Sequence, residues 1–328
     1  MANDRGNMNQ LGLRRPDGGS PLDTSPVPAM VGTAAGAFLS AEVPFLGVVL
    51  LAFSMRFLMW EGRPRRFVLP VAAFAVGAVA LALTRPFAAA TMAPAFLVTF
   101  CIVLSMTFKR ATVLAVSLAT VAGALLALVV DTVYAASLGT TARELLTQVF
   151  DAVAYSSLGS GIEAGLVADQ ASSLFNTLWP FVYVMQSVMY VLAAAAGSFL
   201  LETRFERRPF PSLASFDAPL WAVGVLAASA LLIAASVAVG GSAGYPLSVV
   251  GATSLMSVRI IFVLQGFGVV AAKLSQARTG CALRALVVLL LIWVESVLMA
   301  VSIVGLLDVW ANFRKLPRDA SPAPEADM

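Results

Sequence analysis

The chain has 328 residues, of which 59% are hydrophobic and only 12% are charged, and its formal net charge is +3. A soluble domain carries about a quarter charged residues, so this composition excludes a soluble globular protein and predicts one that spans a bilayer. No histidine, GxxxxGK[ST] or HExxH motif occurs, and no basic stripe alternates with aromatic residues. We therefore expect no enzyme, no catalytic residue, no cofactor, no metal site and no nucleic-acid partner.

The start of the chain is polar and then turns apolar. Residues 1–30 are rich in glycine, proline and balanced charges, and they predict a disordered tail without a signal peptide. A multi-spanning membrane domain is expected over 31–312, followed by a polar C-terminal tail over 313–328. The first apolar region, about 31–57, is interrupted by Pro44. It is either one kinked helix or two half-helices that meet at the proline.

Seven further apolar segments each have the length of a membrane-spanning helix. They cover about 67–84, 87–107, 111–135, 174–200, 218–239, 247–271 and 285–307. The sequence therefore predicts an all-α integral membrane bundle of about eight transmembrane helices.

The basic loops indicate how the bundle is oriented. They lie near 56–66, 109–110, 203–208 and 273–284. Positive loops favour the cytoplasmic side, and eight crossings then put both termini outside, unless the first apolar region crosses twice. The basic C-terminal string NFRKLPRD instead favours the inside.

The segment 139–172 differs from its surroundings because it carries acidic residues and glycines. Within it, TARELLTQVFDAVAY places leucine, valine and phenylalanine at helical spacing, with charges on the opposite face. This pattern predicts an extracytoplasmic amphipathic helix at the membrane interface or over the mouth of the bundle. A solvated linker helix is the alternative.

Two opposite charges lie inside the last two apolar segments. Arg259 and Glu295 are each 18 positions from Ala277, where the turn between those segments is centred. In an antiparallel hairpin they reach the same depth, so Glu295 is the natural partner of a costly buried arginine. The pair either lines a binding site, which Gln265 extends, or fixes the register of the helices.

Two further charged residues, Arg56 and Asp308, lie near the ends of apolar segments. A long arginine side chain at a span end reaches back to the interface. We therefore expect Arg56 to snorkel and Asp308 to face water.

The strings RPFPSLASFDAPLWAVGVL, VLQGFGVVAAKL and GLLDVWANFRKL resemble the closing motifs of the YybS-like membrane proteins. These form a domain-of-unknown-function family of polytopic bacterial proteins, and the resemblance covers about 31–316. The family is likened to the substrate-binding membrane subunits of energy-coupling-factor transporters, which bind vitamins and pair with separate ATPases. Ala37 and Ala41 have the spacing of the helix face through which such subunits contact their coupling protein.

These observations lead to one functional hypothesis and one rival. The hypothesis is a transporter-like or substrate-binding membrane subunit that lacks its own ATPase, with Arg259, Glu295 and Gln265 at its binding site. Its partners would be the lipid bilayer and a separate ATPase or coupling membrane protein, in the bacterial cytoplasmic membrane. The rival is a membrane scaffold or regulatory partner without transport activity.

Overall fold

The computed structural model describes residues 25–60, 65–158, 162–205, 213–277 and 280–316. Within these ranges the elements are α-helices and one 3-10 turn at Leu213–Ser215. The helices are α1 Val27–Leu39, α2 Pro44–Leu58, α3 Val68–Thr84, α4 Pro86–Thr107, α5 Val113–Ser137, α6 Ala142–Leu158, α7 Ile162–Leu178, α8 Phe181–Phe205, α9 Leu220–Val239, α10 Gly241–Gln276, α11 Cys281–Leu298 and α12 Ala300–Ala311. The expected all-α membrane class is confirmed.

Several sequence predictions fall wholly or partly outside the described residues. These are most of the N-terminal tail (1–24), parts of three basic loops (61–64, 206–208 and 278–279) and most of the C-terminal tail (317–328). The helix α1 begins at Val27, inside the segment expected to be a tail.

The described helices differ in their capacity to cross a membrane. By length and composition α4, α5, α8, α9 and α10 can each span one, and the bent pair α11–α12 would be a sixth span if counted as one. The helices α1, α2 and α3 are apolar but have only 13, 15 and 17 residues. Helices of that length rise about 20–26 Å, less than the roughly 30 Å of the hydrocarbon core. The expected eight spans therefore divide into five full-length helices, one broken pair and short helices.

The chain forms two compact units. Unit 1 comprises Met1–Ala111 with Tyr190–Pro209, and unit 2 comprises Thr112–Met189 with Phe210–Met328. The helix α8 is divided between them. Both charges singled out in the sequence, Arg259 and Glu295, belong to unit 2.

In unit 1 the first apolar region forms an antiparallel hairpin of α1 and α2. A Cβ atom at Gly36 would meet the backbone of Leu51, and Gly47 lies against the backbone of Ser40. Backbones approach this closely only where side chains are absent. Pro44 occupies the first turn of α2, where its missing N–H costs nothing. The region is therefore two half-helices, the second of the two alternatives.

The same hairpin determines where the two alanines of the expected coupling face lie. Ala37 is fully buried, and Ala41 follows the end of α1 at Leu39. The two residues therefore do not form an exposed face of one helix.

We predict that Gly36→Ala destabilises the hairpin, because the added Cβ would lie 2.6 Å from the backbone nitrogen of Leu51. Overpacking of this kind costs about 1–3 kcal/mol. Gly224→Ala in α9 is the matched control, since a Cβ there meets no atom within 4 Å. Thermal unfolding of the purified protein in detergent measures both, and an equal midpoint for the two variants would contradict the close packing.

The amphipathic segment in unit 2 consists of two packed helices, α6 and α7. Thr141 and Glu144 begin α6 as a reciprocal cap: the Thr141 N–H donates to Glu144 Oε2 at 3.0 Å, and the Glu144 N–H donates to Thr141 Oγ1 at 3.2 Å. The rings of Phe150 and Phe175 stack at 4.2 Å and join the two helices. The expected amphipathic helix is therefore α6, and α7 covers part of its apolar face.

The helices α9 and α10 form the antiparallel core of unit 2. Gly244 lies against Ser236 and Gly251 against Ile233, so residues further along α10 face residues earlier in α9. The helix α10 has 36 residues and α9 has 20, or about 54 and 30 Å. The end of α10 therefore extends past the start of α9.

The last apolar segment is not a straight span. The axes of α11 and α12 make a bend of 96°. The bend is at Met299, which has the left-handed backbone angles φ 55° and ψ 20°. The helix α11 follows the end of α10, and Arg314, just after α12, donates to carbonyls of the segment that precedes α9. The chain therefore enters and leaves this helix pair at the same end of unit 2.

This path agrees with the basic C-terminal string. In the sequence prediction, a single crossing over 285–307 put NFRKLPRD opposite the basic loop 273–284. The bend at Met299 instead puts the described residues 312–316 at the same end of unit 2 as the described loop residues 273–277, and positive charges favour a common side.

We predict that exposed cysteines at positions 275 and 315 are labelled from the same side of the membrane. The variants are Ser275→Cys and Lys315→Cys, with Leu138→Cys as the opposite-side control, each in a background in which Cys101 and Cys281 are alanine. A membrane-impermeant maleimide applied to intact cells and to inverted vesicles gives the side. Labelling of position 315 together with position 138 would mean that α11 and α12 form one crossing.

Candidate functional site

The predicted pair of charges meets directly. Arg259 on α10 donates to Glu295 on α11 through Nη2 at 2.6 Å and Nε at 3.0 Å, both to Oε1. The side chains are 23% and 11% exposed, respectively. The pair is thus mostly enclosed, and the close contact between the two charges offsets the cost of burying each of them.

Glu295 also caps the helix that follows the break. Its Oε2 accepts the backbone N–H of Ser302 at 3.0 Å, and its Oε1 accepts the Ser302 hydroxyl. Ser302 lies in the first turn of α12, where N–H groups have no partner within the helix and the helix dipole favours a negative charge. The carboxylate therefore satisfies both the arginine and the new helix start.

Arg259 makes hydrogen-bond contacts with residues on both sides of the break. Its Nη2 donates to the backbone carbonyl of Glu295 at 3.1 Å, and its Nε lies 3.0 Å from the Ser302 hydroxyl. Its Nη1 has a weak acceptor among the described residues, the sulfur of Met256 at 3.7 Å. The Nε and Nη2 edge of the guanidinium thus links the two helices at the break. Nη1 retains donor capacity.

The depth of this cluster follows from Gln265. The Gln265 side chain accepts the backbone N–H of Ala218 at 2.8 Å, so it lies level with the residues just before α9. Arg259 is six positions earlier in α10, or about 9 Å along the axis. The Arg259 cluster therefore lies one to two turns inside the part of α10 that α9 covers, nearer its end than its middle. An arginine costs less there than at the bilayer centre.

Gln265 belongs to a second polar cluster rather than to the Arg259 pair. Its Nε2 donates to Asp308 Oδ2 at 2.8 Å and to Asp217 Oδ1 at 3.2 Å. Arg314 donates to the same Asp308 oxygen through Nε at 3.0 Å and Nη2 at 2.8 Å. We name this group, Gln265, Asp308, Arg314 and Asp217, the C-terminal clasp.

The clasp joins three distant parts of the chain. Arg314 Nη1 donates to the carbonyls of Ala214 and Phe216 at 2.9 and 2.6 Å. The side chains of Arg314 and Asp308 are 1% and 0% exposed. The expectation that Asp308 faces water is therefore wrong, because this carboxylate has an arginine and a buried amide as partners. The first residues of the expected C-terminal tail, 313–316, are part of this packed structure.

Arg56 in unit 1 also differs from expectation. The residue is 7% exposed, and its Nη1 donates to the Thr107 hydroxyl at 3.4 Å. It is therefore enclosed between α2 and α4 and does not snorkel to water. Among the described residues, no group of three or more His, Cys, Asp or Glu side chains is placed to hold a metal ion.

We predict that Arg314→Ala lowers the stability of unit 2 by about 3 kcal/mol, because it leaves Asp308 buried without its charge partner. The neighbouring Lys315→Ala is the control, since that side chain is exposed. Limited proteolysis and thermal unfolding in detergent report the difference. Equal behaviour of the two variants would show that the clasp does not stabilise the fold.

Comparison with protein families gives one match. The family model described as "Predicted membrane protein (DUF2232)" matches residues 33–309. It confirms the expected domain-of-unknown-function family of membrane proteins, and the narrower YybS-like resemblance stays a prediction. Comparisons with curated proteins and with solved structures gave no match.

Proposed function

Because the chain belongs to the DUF2232 family of predicted membrane proteins, we propose a function within the bilayer: a transporter-type, substrate-binding membrane subunit without an ATPase of its own. The supporting observation is the break between α11 and α12, where irregular backbone and an ion pair occur together within an apolar segment. Irregular backbone at membrane depth is tolerated where it is buried or lines a cavity. In secondary transporters, such broken helices form the substrate site.

In this proposal Arg259 is the group that contacts the substrate. Its Nη1 donors face a weak sulfur acceptor, so an oxygen of a bound molecule is a better partner for them than Met256 is. Glu295 neutralises the charge of Arg259 and holds its side chain in place when no substrate is bound. Gln265 supports the other end of α12 through the clasp, so the proposed site comprises Arg259 and Glu295.

The proposal includes a location and a partner. We propose that the protein lies in the bacterial cytoplasmic membrane and works with a separate ATPase or coupling membrane protein. The support is the resemblance of the C-terminal motifs to proteins likened to energy-coupling-factor subunits. The rival, a scaffold without transport activity, is one outcome of the experiment below.

The test is purification of tagged protein from its native membrane in mild detergent, followed by mass spectrometry of retained small molecules and co-purifying proteins. We expect the wild type to retain a small molecule that the double variant Arg259→Gln/Glu295→Gln retains at least about tenfold less, as loss of a charged hydrogen bond implies. The matched control is Glu42→Gln/Arg85→Gln, which removes another ion pair whose side chains are about half exposed. It should leave retention unchanged.

Two results would contradict the proposal. One is an identical set of retained molecules in the wild type and the folded double variant. The other is a reproducible regulatory or envelope protein as the partner, with no bound molecule and no ATPase, which would favour the scaffold.

A further inference from the structure

The charges at the Arg259 site cancel each other. Along the helices α9, α10, α11 and α12 the charged residues are Arg259, Lys273, Arg284, Glu295 and Asp308. Lys273 and Arg284 lie in the turns of helix on either side of the connection between α10 and α11, and Asp308 is paired within the C-terminal clasp. Arg259 and Glu295 remain, as one positive and one negative charge joined at 2.6 Å. The proposed site therefore carries no net charge.

This balance determines which charge a bound molecule can carry. An ion placed beside a neutral pair in an apolar segment adds a charge without a partner, and such a charge is costly at membrane depth. An uncharged molecule adds none. Its oxygen atoms can still accept a strong hydrogen bond, because the donor is a charged guanidinium.

Arg259 has one donor group left for such an oxygen. Its Nε and Nη2 contact Glu295 and Ser302. Its Nη1 lies 3.7 Å from the sulfur of Met256, and a thioether is a weak acceptor. The Arg259 side chain is 23% exposed, so a bound molecule has access to it.

A second polar group without a partner lies on the same helix. The Thr253 hydroxyl is buried and has no hydrogen-bond partner among the described residues. A threonine inside a helix often donates to the carbonyl four residues earlier, as Thr120 donates to Val116 at 2.9 Å. A buried hydroxyl that lacks this bond needs another partner, and a bound molecule can supply it.

The two groups lie along one side of α10. Thr253, Met256 and Arg259 follow one another at three-residue spacing, which places neighbours in this series on a common face. Six positions span about 9 Å of helix axis. Long side chains in a helix point back toward its N-terminus, and the contact of Arg259 with Met256 shows this direction here. The guanidinium therefore extends toward Thr253, and the flexible Met256 side chain lies between them.

We propose that the substrate of the Arg259 site is an uncharged polar molecule. It has a carbonyl or hydroxyl oxygen for Arg259 Nη1 and a second polar group for the Thr253 hydroxyl. This inference rests on the function proposed above and adds Thr253 as a specificity-determining residue. A carboxylate on the substrate would have to displace Glu295, and an ammonium group would meet the charge of Arg259.

The variant Thr253→Val tests this inference in the native-membrane purification described above. The hydroxyl has no partner among the described residues, so its loss should not lower the unfolding temperature. Loss of a hydrogen bond to the substrate should lower retention of the bound molecule by about threefold to tenfold. Thr120→Val is the matched control, because its hydroxyl is bonded within its own helix, and it should leave retention unchanged.

The probe is the set of molecules that the wild type retains and that Arg259→Gln/Glu295→Gln loses. We expect these molecules to be uncharged at neutral pH and to be retained less by Thr253→Val. A carboxylate, phosphate or amine in this set, or equal retention by Thr253→Val and Thr120→Val, would overturn the inference and leave the proposed function in place. An empty set would overturn the proposed function, and this inference with it.

Discussion

The fold of unit 2 depends on one constraint: a helix that breaks inside an apolar segment exposes backbone groups that water does not reach. At Met299 the helix α11 ends and α12 begins at a right angle. Glu295 accepts the freed N–H of Ser302, and Arg259 donates to the carbonyl of Glu295. Each charge neutralises the other and also satisfies the backbone. The ion pair and the bend are therefore linked through the same residues.

The helix α12 connects this feature to the C-terminal clasp. Gly305 lies against the backbone of Phe262, which lets α12 cross α10 at close range. Ser302 at one end of α12 contacts the Arg259 pair, and Asp308 at the other end contacts Gln265. Both ends of this short helix are therefore attached to α10 through polar side chains. A substrate that competes with Glu295 for Arg259 would act on only one of those two ends.

The sequence predicted the all-α class and the Arg259–Glu295 pair, because depth in a helical hairpin depends only on distance from its turn. It did not predict the bend, since Met299 carries none of the usual turn signals of glycine or proline. Asp308 and Arg314 were missed for another reason. The two residues pair with each other, but their other partners lie 43 residues away at Gln265 and about 100 away at Ala214 and Phe216. Apolar periodicity does not determine which distant segments meet.

The C-terminal clasp has a consequence for how the protein is made. Gln265 and Asp217 are synthesised before Asp308, which accepts the Gln265 amide, and before Arg314, whose Nη2 lies 3.8 Å from Asp217 Oδ1. Until then the Gln265 amide and the Asp217 carboxylate lack these partners. A premature stop codon that removes only the last 15 residues, from Arg314 onward, would thus leave every described helix intact. It would still remove the charge partner of Asp308 and expose the chain to quality-control proteases.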